Sequence, residues 1–208
     1  KINMKILKDL YDWVLSWSNS KWGPVVLLLM AIAEASFFPI PPDVLLIGLA
    51  LGNRKKAFYY SSICLLGSVS GGLLGYGIGT YLWWNENSQF SNLALFFFNI
   101  IPGFNEIIFY EIQNRYELWD FWIIFTAGFT PIPYKIITIS AGAFDINFIM
   151  FFIASIVGRG GRFFLLGFLI WKFGDPIKIF IDKYFNLLAI IFTLLLIGGF
   201  IMINYFID

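Results

Sequence analysis

Five charged residues lie within long apolar stretches of the sequence. Glu34 and Asp43 flank a cluster of prolines, Lys135 follows a second cluster, and Arg159 and Arg162 lie in the middle of an apolar stretch. An arginine at the centre of a membrane helix costs about 2.5–3.5 kcal/mol even on the milder insertion scales, and such residues usually serve function. Carboxylates in an apolar core can take up protons, and cations there can attract an anionic group such as a phosphate.

The same charges also have a structural interpretation. Arg159 and Arg162 are three residues apart and share one face of a helix, from which salt bridges to the acids would pin two segments together. Buried ion pairs often add little net stability, so this interpretation is the weaker one. The sequence favours a transport or proton-coupling role for Glu34 and Asp43. It favours an anion- or headgroup-binding role for Lys135 and the two arginines.

The composition limits the chemistry of the rest of the chain. The 208 residues are 59% hydrophobic and 13% charged, whereas a soluble domain is about 25% charged. Histidine, the commonest general base and neutral metal ligand, is absent. Cys64 is the only cysteine, and the net charge of +1 comes without the basic stripe that nucleic acid requires. We therefore expect one membrane domain that is not an enzyme and uses no cofactor or metal.

Three stretches are long enough to cross a membrane, which takes about 20 residues. Residues 57–84 and 184–207 carry no charge, and residues 148–171 carry only the two arginines. The sequence predicts a transmembrane helix in each.

Two further apolar regions, residues 22–52 and 119–143, are broken by prolines. The breaks contain Pro39, Pro41 and Pro42 in the first region and Pro131 and Pro133 in the second. Proline removes an amide donor and clashes with the preceding turn, so these clusters should end a helix. The limbs that follow, residues 43–52 and 134–143, have ten residues each, and at about 1.5 Å per residue they reach halfway across a bilayer. Both regions are predicted to be re-entrant hairpins.

The two broken regions belong to an internal repeat. A shift of 92 residues places 37–41 on 129–133 with four of five residues identical, and places 73–75 on 165–167 with all three identical. Each copy is a hairpin followed by one spanning helix. Because a hairpin makes no net crossing and the helix makes one, the second copy should be inverted relative to the first. Inverted repeats with broken helices are typical of transporters.

The sequence thus predicts an all-α polytopic membrane protein with the following order. It comprises an amphipathic helix at 1–20, repeat 1 at 22–84, an acidic outer segment at 85–118, repeat 2 at 119–171 and a transmembrane helix at 184–207. The first helix fits equally well in the membrane interface or on the flank of the protein.

Basic residues in the loops orient the chain. With the N-terminus inside, ten of them lie on the cytoplasmic side: Lys1, Lys5, Lys8, Lys21, Arg54, Lys55, Lys56, Lys172, Lys178 and Lys183. Arg115 is the basic residue that remains outside. By the positive-inside rule, this bias predicts a cytoplasmic N-terminus.

Glycines recur every four residues along the first spanning helix, at Gly67, Gly71, Gly75 and Gly79. Small residues at this spacing allow helix backbones to approach closely. We expect this face to pack against a hairpin or the sister helix, with homo-oligomerisation as the lesser alternative.

Three motifs together point to a family. They are Glu34 with the Pro-Ile-Pro-Pro-Asp segment at 39–43, the Phe-Thr-Pro-Ile-Pro-Tyr-Lys segment at 129–135 followed by Ala141-Gly142, and the Gly-Arg-Gly-Gly-Arg-Phe segment at 158–163. In these motifs the chain resembles the DedA family, also called the VTT domain or SNARE-associated Golgi protein family, and its YqaA-like bacterial branch in particular. The resemblance covers roughly residues 20–175.

The resemblance implies a multi-pass protein of the bacterial inner membrane with two opposed re-entrant hairpins. Members are implicated in moving lipids between leaflets, including polyprenyl-phosphate carriers, and in envelope homeostasis that depends on the proton-motive force. By position, Glu34 and Asp43 match the acids of the family's hairpins, and Lys135 stands where many members have an arginine. Thr130 lies where those members have another arginine, a charge that the two arginines of the next helix are expected to supply.

The leading hypothesis is therefore a lipid transporter or scramblase whose partners are membrane lipids and protons. A proton-coupled antiporter for a small solute or cation needs the same buried titratable groups. A membrane scaffold or assembly factor that docks a partner through the acidic outer segment is a third hypothesis. A lipid-modifying enzyme comes last, because histidine and an aspartate-rich phosphotransferase signature are both missing.

Overall fold

The computed structural model describes residues 13, 16–17, 20–36, 41–87, 89–100, 105–130, 134–174 and 176. The helix predicted at 184–207 lies outside these residues, as does most of the helix predicted at 1–20. Pro39, Pro131 and Pro133 also lie outside them.

Within the described residues the chain forms seven α-helices and no β-strand, which confirms the all-α prediction. The helices are α1 (Gly23–Ser36), α2 (Asp43–Gly52), α3 (Ala57–Leu82), α4 (Asn92–Ile100), α5 (Glu106–Phe129), α6 (Tyr134–Ala143) and α7 (Phe148–Phe173). One turn of 3-10 helix, Arg54–Lys56, joins α2 to α3.

Two helical stretches in the described part of the chain, Arg54–Leu82 and Phe148–Phe173, are long and apolar enough to cross a membrane. They correspond to the predicted spans at 57–84 and 148–171. Shorter apolar helices occupy Gly23–Ser36, Asp43–Gly52 and Leu118–Phe129, the limbs beside the proline breaks.

The helix limits follow the internal repeat. The helices α6 and α7 begin and end 91 residues after α2 and α3, respectively, one residue short of the shift in the sequence alignment. That difference is within the usual uncertainty of helix ends. The proline breaks therefore divide both copies into the same three pieces.

Helix α5 spans the predicted boundary between residues 118 and 119. The sequence from 106 to 127 contains no proline or glycine that would end a helix. The boundary coincides with a bend in α5, where Trp119 has non-helical angles of φ −125° and ψ 17°. Beside it, the Asp120 carboxylate accepts a hydrogen bond from the amide of Phe121 at 2.6 Å, a local bond that competes with helical geometry.

The glycine face of α3 packs against α1 and α6. A Cβ atom built on Gly71 would lie 2.2 Å from the carbonyl oxygen of Ile32 in α1, and one on Gly79 would lie 2.0 Å from that of Ile139 in α6. Gly67 likewise faces α1, and Gly75 faces Thr138 of α6. The sister helix α7 meets α3 along a different stripe, where Ser61 Oγ donates to the carbonyl of Phe163 at 2.8 Å.

The second helices of the two copies, α2 and α6, pack differently. Helix α1 packs on α3 and α5 packs on α7, each within its own copy, whereas α6 packs mainly on α3 of the other copy. Helix α2 lies against both long helices. Residues beside both breaks, Asp43 of α2 and Thr130 after α5, contact α7.

Candidate functional site

The Arg159 side chain is enclosed at the centre of the molecule. It is 2% exposed, and its guanidinium donates to the Glu34 carboxylate and to Ser68 Oγ. The guanidinium carbon lies 4.9 Å from the ring centroid of Tyr134 and 4.8 Å from that of Phe163. Arg159 therefore joins α1, α3 and α6 to its own helix through charged, polar and cation–π contacts.

The Arg162 side chain connects the two breaks one turn further along α7. Its Nε and Nη2 atoms donate to the two carboxylate oxygens of Asp43 at 3.0 and 2.6 Å. Its Nη1 atom donates to the carbonyl of Thr130 at 2.7 Å. Asp43 is the first residue of α2, after the first break, and Thr130 follows the last residue of α5, before the second break.

The two arginines differ in exposure and the two acids do not. The Arg159 side chain is 2% exposed and that of Arg162 is 16% exposed, whereas Glu34 and Asp43 are each 15% exposed. The Arg162 pair also has fork-to-fork geometry, in which two parallel N–H···O bonds join one guanidinium edge to one carboxylate. Both arginines come from one face of α7, as their three-residue spacing predicted.

Part of the first break lies within the described residues. Pro42 caps the start of α2 with φ −69° and ψ −15°, and its carbonyl accepts the amide of Leu46 at 2.9 Å. Proline suits the start of a helix because its fixed φ is helical and its missing amide would have had no partner there. Pro42 thereby fixes where α2 begins and where the Asp43 carboxylate is placed.

Four of the five charged residues singled out in the sequence are thus brought together as two pairs. Lys135 is the second residue of α6 and is partly buried. It follows Tyr134, whose ring faces Arg159. Thr130 is contacted by Arg162 through its backbone carbonyl, so a positive charge from α7 lies beside this position.

Sequence reasoning missed the uncharged members of the site. Ser68 and Ser155 are buried on the long helices, and the Tyr134 hydroxyl donates to Ser155 Oγ. Ser155 lies one helical turn before Arg159, so a search along the arginine face would have found it. Ser68 carries no comparable signal, because serine is common in tightly packed membrane helices.

Two relatives match most of this chain in amino-acid sequence. An uncharacterized protein of Haemophilus influenzae is 35% identical over 166 residues, which cover 78% of this chain and 80% of that protein. The chain belongs to the family of this protein. A second member, an uncharacterized protein of Histophilus somni, is 33% identical over 168 residues with the same two coverages. No established family profile matches the chain, and no solved structure does.

Proposed function

We propose that this protein is a multi-pass transporter of the DedA type that moves an anionic lipid between membrane leaflets. The observation that carries the proposal is the pair of arginines on α7. Each binds a carboxylate of the first proline-broken region and also contacts the second, Arg159 through the Tyr134 ring and Arg162 through the Thr130 carbonyl. The cargo would be a phospholipid or a polyprenyl-phosphate carrier. The bacterial inner membrane, with the N-terminus in the cytoplasm, is the location that the loop charges and the resemblance favour.

The surface of the long helices supports a membrane location. Leu66 and Leu74 of α3 are 65% and 55% exposed, and Ile149 of α7 is 68% exposed, so the sides of these helices that face away from the core are apolar. Lipid chains accommodate such surfaces, whereas exposed apolar patches of this extent are rare on soluble monomers. The limbs α2 and α6 would then enter the bilayer from opposite faces as re-entrant elements, with their irregular backbone enclosed by protein.

The ion pairs would couple lipid movement to protons. Protonation of a carboxylate removes the charge that holds its arginine, and the guanidinium donors become free for a phosphate headgroup. Deprotonation restores the pair and displaces the headgroup. Because the pairs lie between two hairpins, the exchange would also loosen or close the contact between them.

The test is a lipid-flipping assay in liposomes with and without a pH gradient. We expect the native protein to move a fluorescent anionic lipid, and Glu34→Ala and Arg159→Ala to stop it. Arg115→Ala is the matched control, because Arg115 pairs with Glu111 at the surface and should be dispensable. If both core variants move lipid normally, the ion pairs are not the transport site. Loss of the pH gradient driven by a cation, without lipid movement, would favour the antiporter.

A non-transporting membrane scaffold is the second candidate, and the closed ion pairs favour it. Each arginine already has a carboxylate partner, as expected of salt bridges that only hold helices together. If the protein is a scaffold, substitutions in the ion pairs should reduce function only as far as they reduce the amount of folded protein. If it is a transporter, such substitutions should abolish function even in variants that remain folded.

A further inference from the structure

The two return limbs, α2 and α6, are held in place by different kinds of contact. Five side chains donate hydrogen bonds to backbone carbonyls of α6 or of the residues just after it. The pairs are Tyr116 to Ile137 (3.1 Å), Thr80 to Gly142 (3.4 Å), Trp84 to Ala143 (2.9 Å), Gln113 to Phe144 (3.0 Å) and Tyr76 to Ile146 (2.7 Å). Two of these acceptors, Gly142 and Ala143, belong to the last turn of α6, whose carbonyls a helix leaves without internal partners. Their donors are Thr80 of α3 and Trp84.

Backbone contact also fixes α6. A Cβ atom on Gly142 would lie 1.9 Å from the carbonyl oxygen of Tyr76 in α3, and one on Gly79 would lie 2.6 Å from the amide nitrogen of Ala143. At such separations the two helix backbones touch, and a sliding motion would bring main-chain atoms into collision.

The limb α2 instead packs through aliphatic side chains. Leu45, Leu46, Leu49 and Ala50 are buried against α1, α3 and α7. Among the described residues, the side-chain hydrogen bonds that connect α2 to other helices all involve Asp43 and Arg162. The Asp43–Arg162 ion pair, at the first residue of α2, is therefore the polar contact that attaches this helix to α7.

In a bilayer these two kinds of contact differ in strength. Lipid tails are as apolar as leucine, so leucine surface that leaves its protein partner meets an equivalent environment. A backbone carbonyl that loses its donor in hydrocarbon meets no substitute. Moving α6 would break the five side-chain bonds and would leave the carbonyls of Ala143, Phe144 and Ile146 without the donors named above. Moving α2 breaks the Arg162–Asp43 pair.

We infer that α2 is a movable gate, that α6 is fixed, and that the Asp43 carboxylate occupies the edge of Arg162 where an anionic phosphate group binds. The gate rests on the contacts above alone, and the identity of the anion rests on the proposed function. Asp43 thus acts as a tethered competitor for the phosphate.

The geometry of Arg162 suits this exchange. Its Nε–Nη2 edge bonds two carboxylate oxygens, an arrangement that two phosphate oxygens reproduce with the same guanidinium. Its Nη1 atom remains bound to the carbonyl of Thr130, so the guanidinium keeps its orientation when Asp43 departs. Arg159 is held by Glu34, Ser68 and two aromatic rings, none of which belongs to α2, so its contacts do not depend on the position of the gate.

Two matched reporters test the gate. Ala50 and Ala141 are each the eighth residue of their ten-residue limbs, and each is 0% exposed. In a Cys64→Ala background, Ala50→Cys or Ala141→Cys becomes the single thiol, and its reaction rate with a water-soluble maleimide is measured in maltoside micelles. We expect Asp43→Asn to accelerate labelling at position 50 about tenfold or more, because it removes one charge of a buried pair, and to leave position 141 unchanged.

The native thiol provides a reporter that needs no added cysteine. Cys64 is 0% exposed and belongs to the same buried cluster as Leu45 and Leu46. Asp43→Asn in the otherwise native chain should therefore accelerate labelling of Cys64. Unfolded protein is recognised by a loss of helical circular dichroism, so a damaged variant is not mistaken for an open gate.

Phosphatidic acid tests the competition. Added to the micelles, it should accelerate labelling at position 50 when Asp43 and Arg162 are native and have no further effect in Arg162→Gln, whose pair is already broken. Phosphatidylcholine should have little effect, and inorganic phosphate shows whether a free anion suffices.

Equal acceleration at positions 50 and 141, or none at position 50, would overturn the gate. If phosphatidic acid leaves position 50 unchanged, Asp43 is not a competitor for phosphate and the inference fails. A gate that opens as described, in a protein that moves no lipid in liposomes, would instead refute the proposed function.

Discussion

Breaking the central ion pair from one side should be far more harmful than removing it whole. Replacing one partner of a buried pair typically costs about 3–5 kcal/mol, because the other charge is left without compensation. In Glu34→Leu the remaining charge is that of Arg159, which is 2% exposed and cannot lose its proton. We therefore expect Glu34→Leu to lose about 3–5 kcal/mol of unfolding free energy.

The reverse substitution should be milder. In Arg159→Met the remaining Glu34 side chain is 15% exposed, and a carboxyl group can become neutral by binding a proton. We expect a loss of about 1–3 kcal/mol, the range for an uncompensated buried polar group. In the double variant Glu34→Leu/Arg159→Met no charge remains, and stability should return to within about 1–2 kcal/mol of the native protein, as apolar replacements of buried pairs usually allow.

The assay is unfolding in mixed micelles, followed by far-ultraviolet circular dichroism, with a surface pair as control. The Glu111 and Arg115 side chains are about half exposed, so Glu111→Leu should cost less than about 1 kcal/mol. The reasoning fails if Glu34→Leu is no worse than Glu111→Leu, or if the double variant is as unstable as the two single variants combined. Lipid flipping by the stable double variant then distinguishes transport, which it should lose, from a scaffold, which it should keep.

Three further expectations concern packing and helix ends, each measured by the same unfolding assay. Gly79→Ala should destabilise the protein by about 1–3 kcal/mol through overpacking. Its control is Gly77→Ala, whose Cβ meets nothing within 4 Å and which should stabilise the protein by up to about 1 kcal/mol. Equal effects of the two substitutions would contradict the backbone contact at Gly79. Gln113→Leu leaves the carbonyl of Phe144 without its donor and should cost about 1–3 kcal/mol, and an unchanged midpoint would argue against this bond. Asn147→Ala removes the side-chain cap of α7 and should cost about 1 kcal/mol, whereas no loss would show that the cap is unimportant.

The fold was predictable where composition and proline placement determine it. The breaks at prolines located the limbs Asp43–Gly52 and Tyr134–Ala143 to the residue, because proline leaves the chain few alternatives. The outer segment was less predictable, since no glycine or proline marks the bend at Trp119.

The sequence predicted which charged residues form the candidate site, but not which of them contact each other. Charge balance at membrane depth made pairing of Glu34 and Asp43 with the arginines the simplest expectation. Which acid meets which arginine depends on how α1 and α2 pack relative to α7, which is a long-range property. The contact of Arg162 with the carbonyl of Thr130 was hidden for a further reason, because a backbone acceptor leaves no trace in the sequence.

The division of acids and bases between the two copies has a consequence for synthesis of the chain. Glu34 pairs with a residue 125 positions later, and Asp43 with one 119 positions later. At about 5–20 residues per second, the first hairpin is made roughly 6–25 s before its arginines. During that interval its carboxylates would have to stay at the membrane surface or in the insertion machinery. The first half of the molecule therefore cannot mature alone, and truncation before α7 should yield a chain that is degraded.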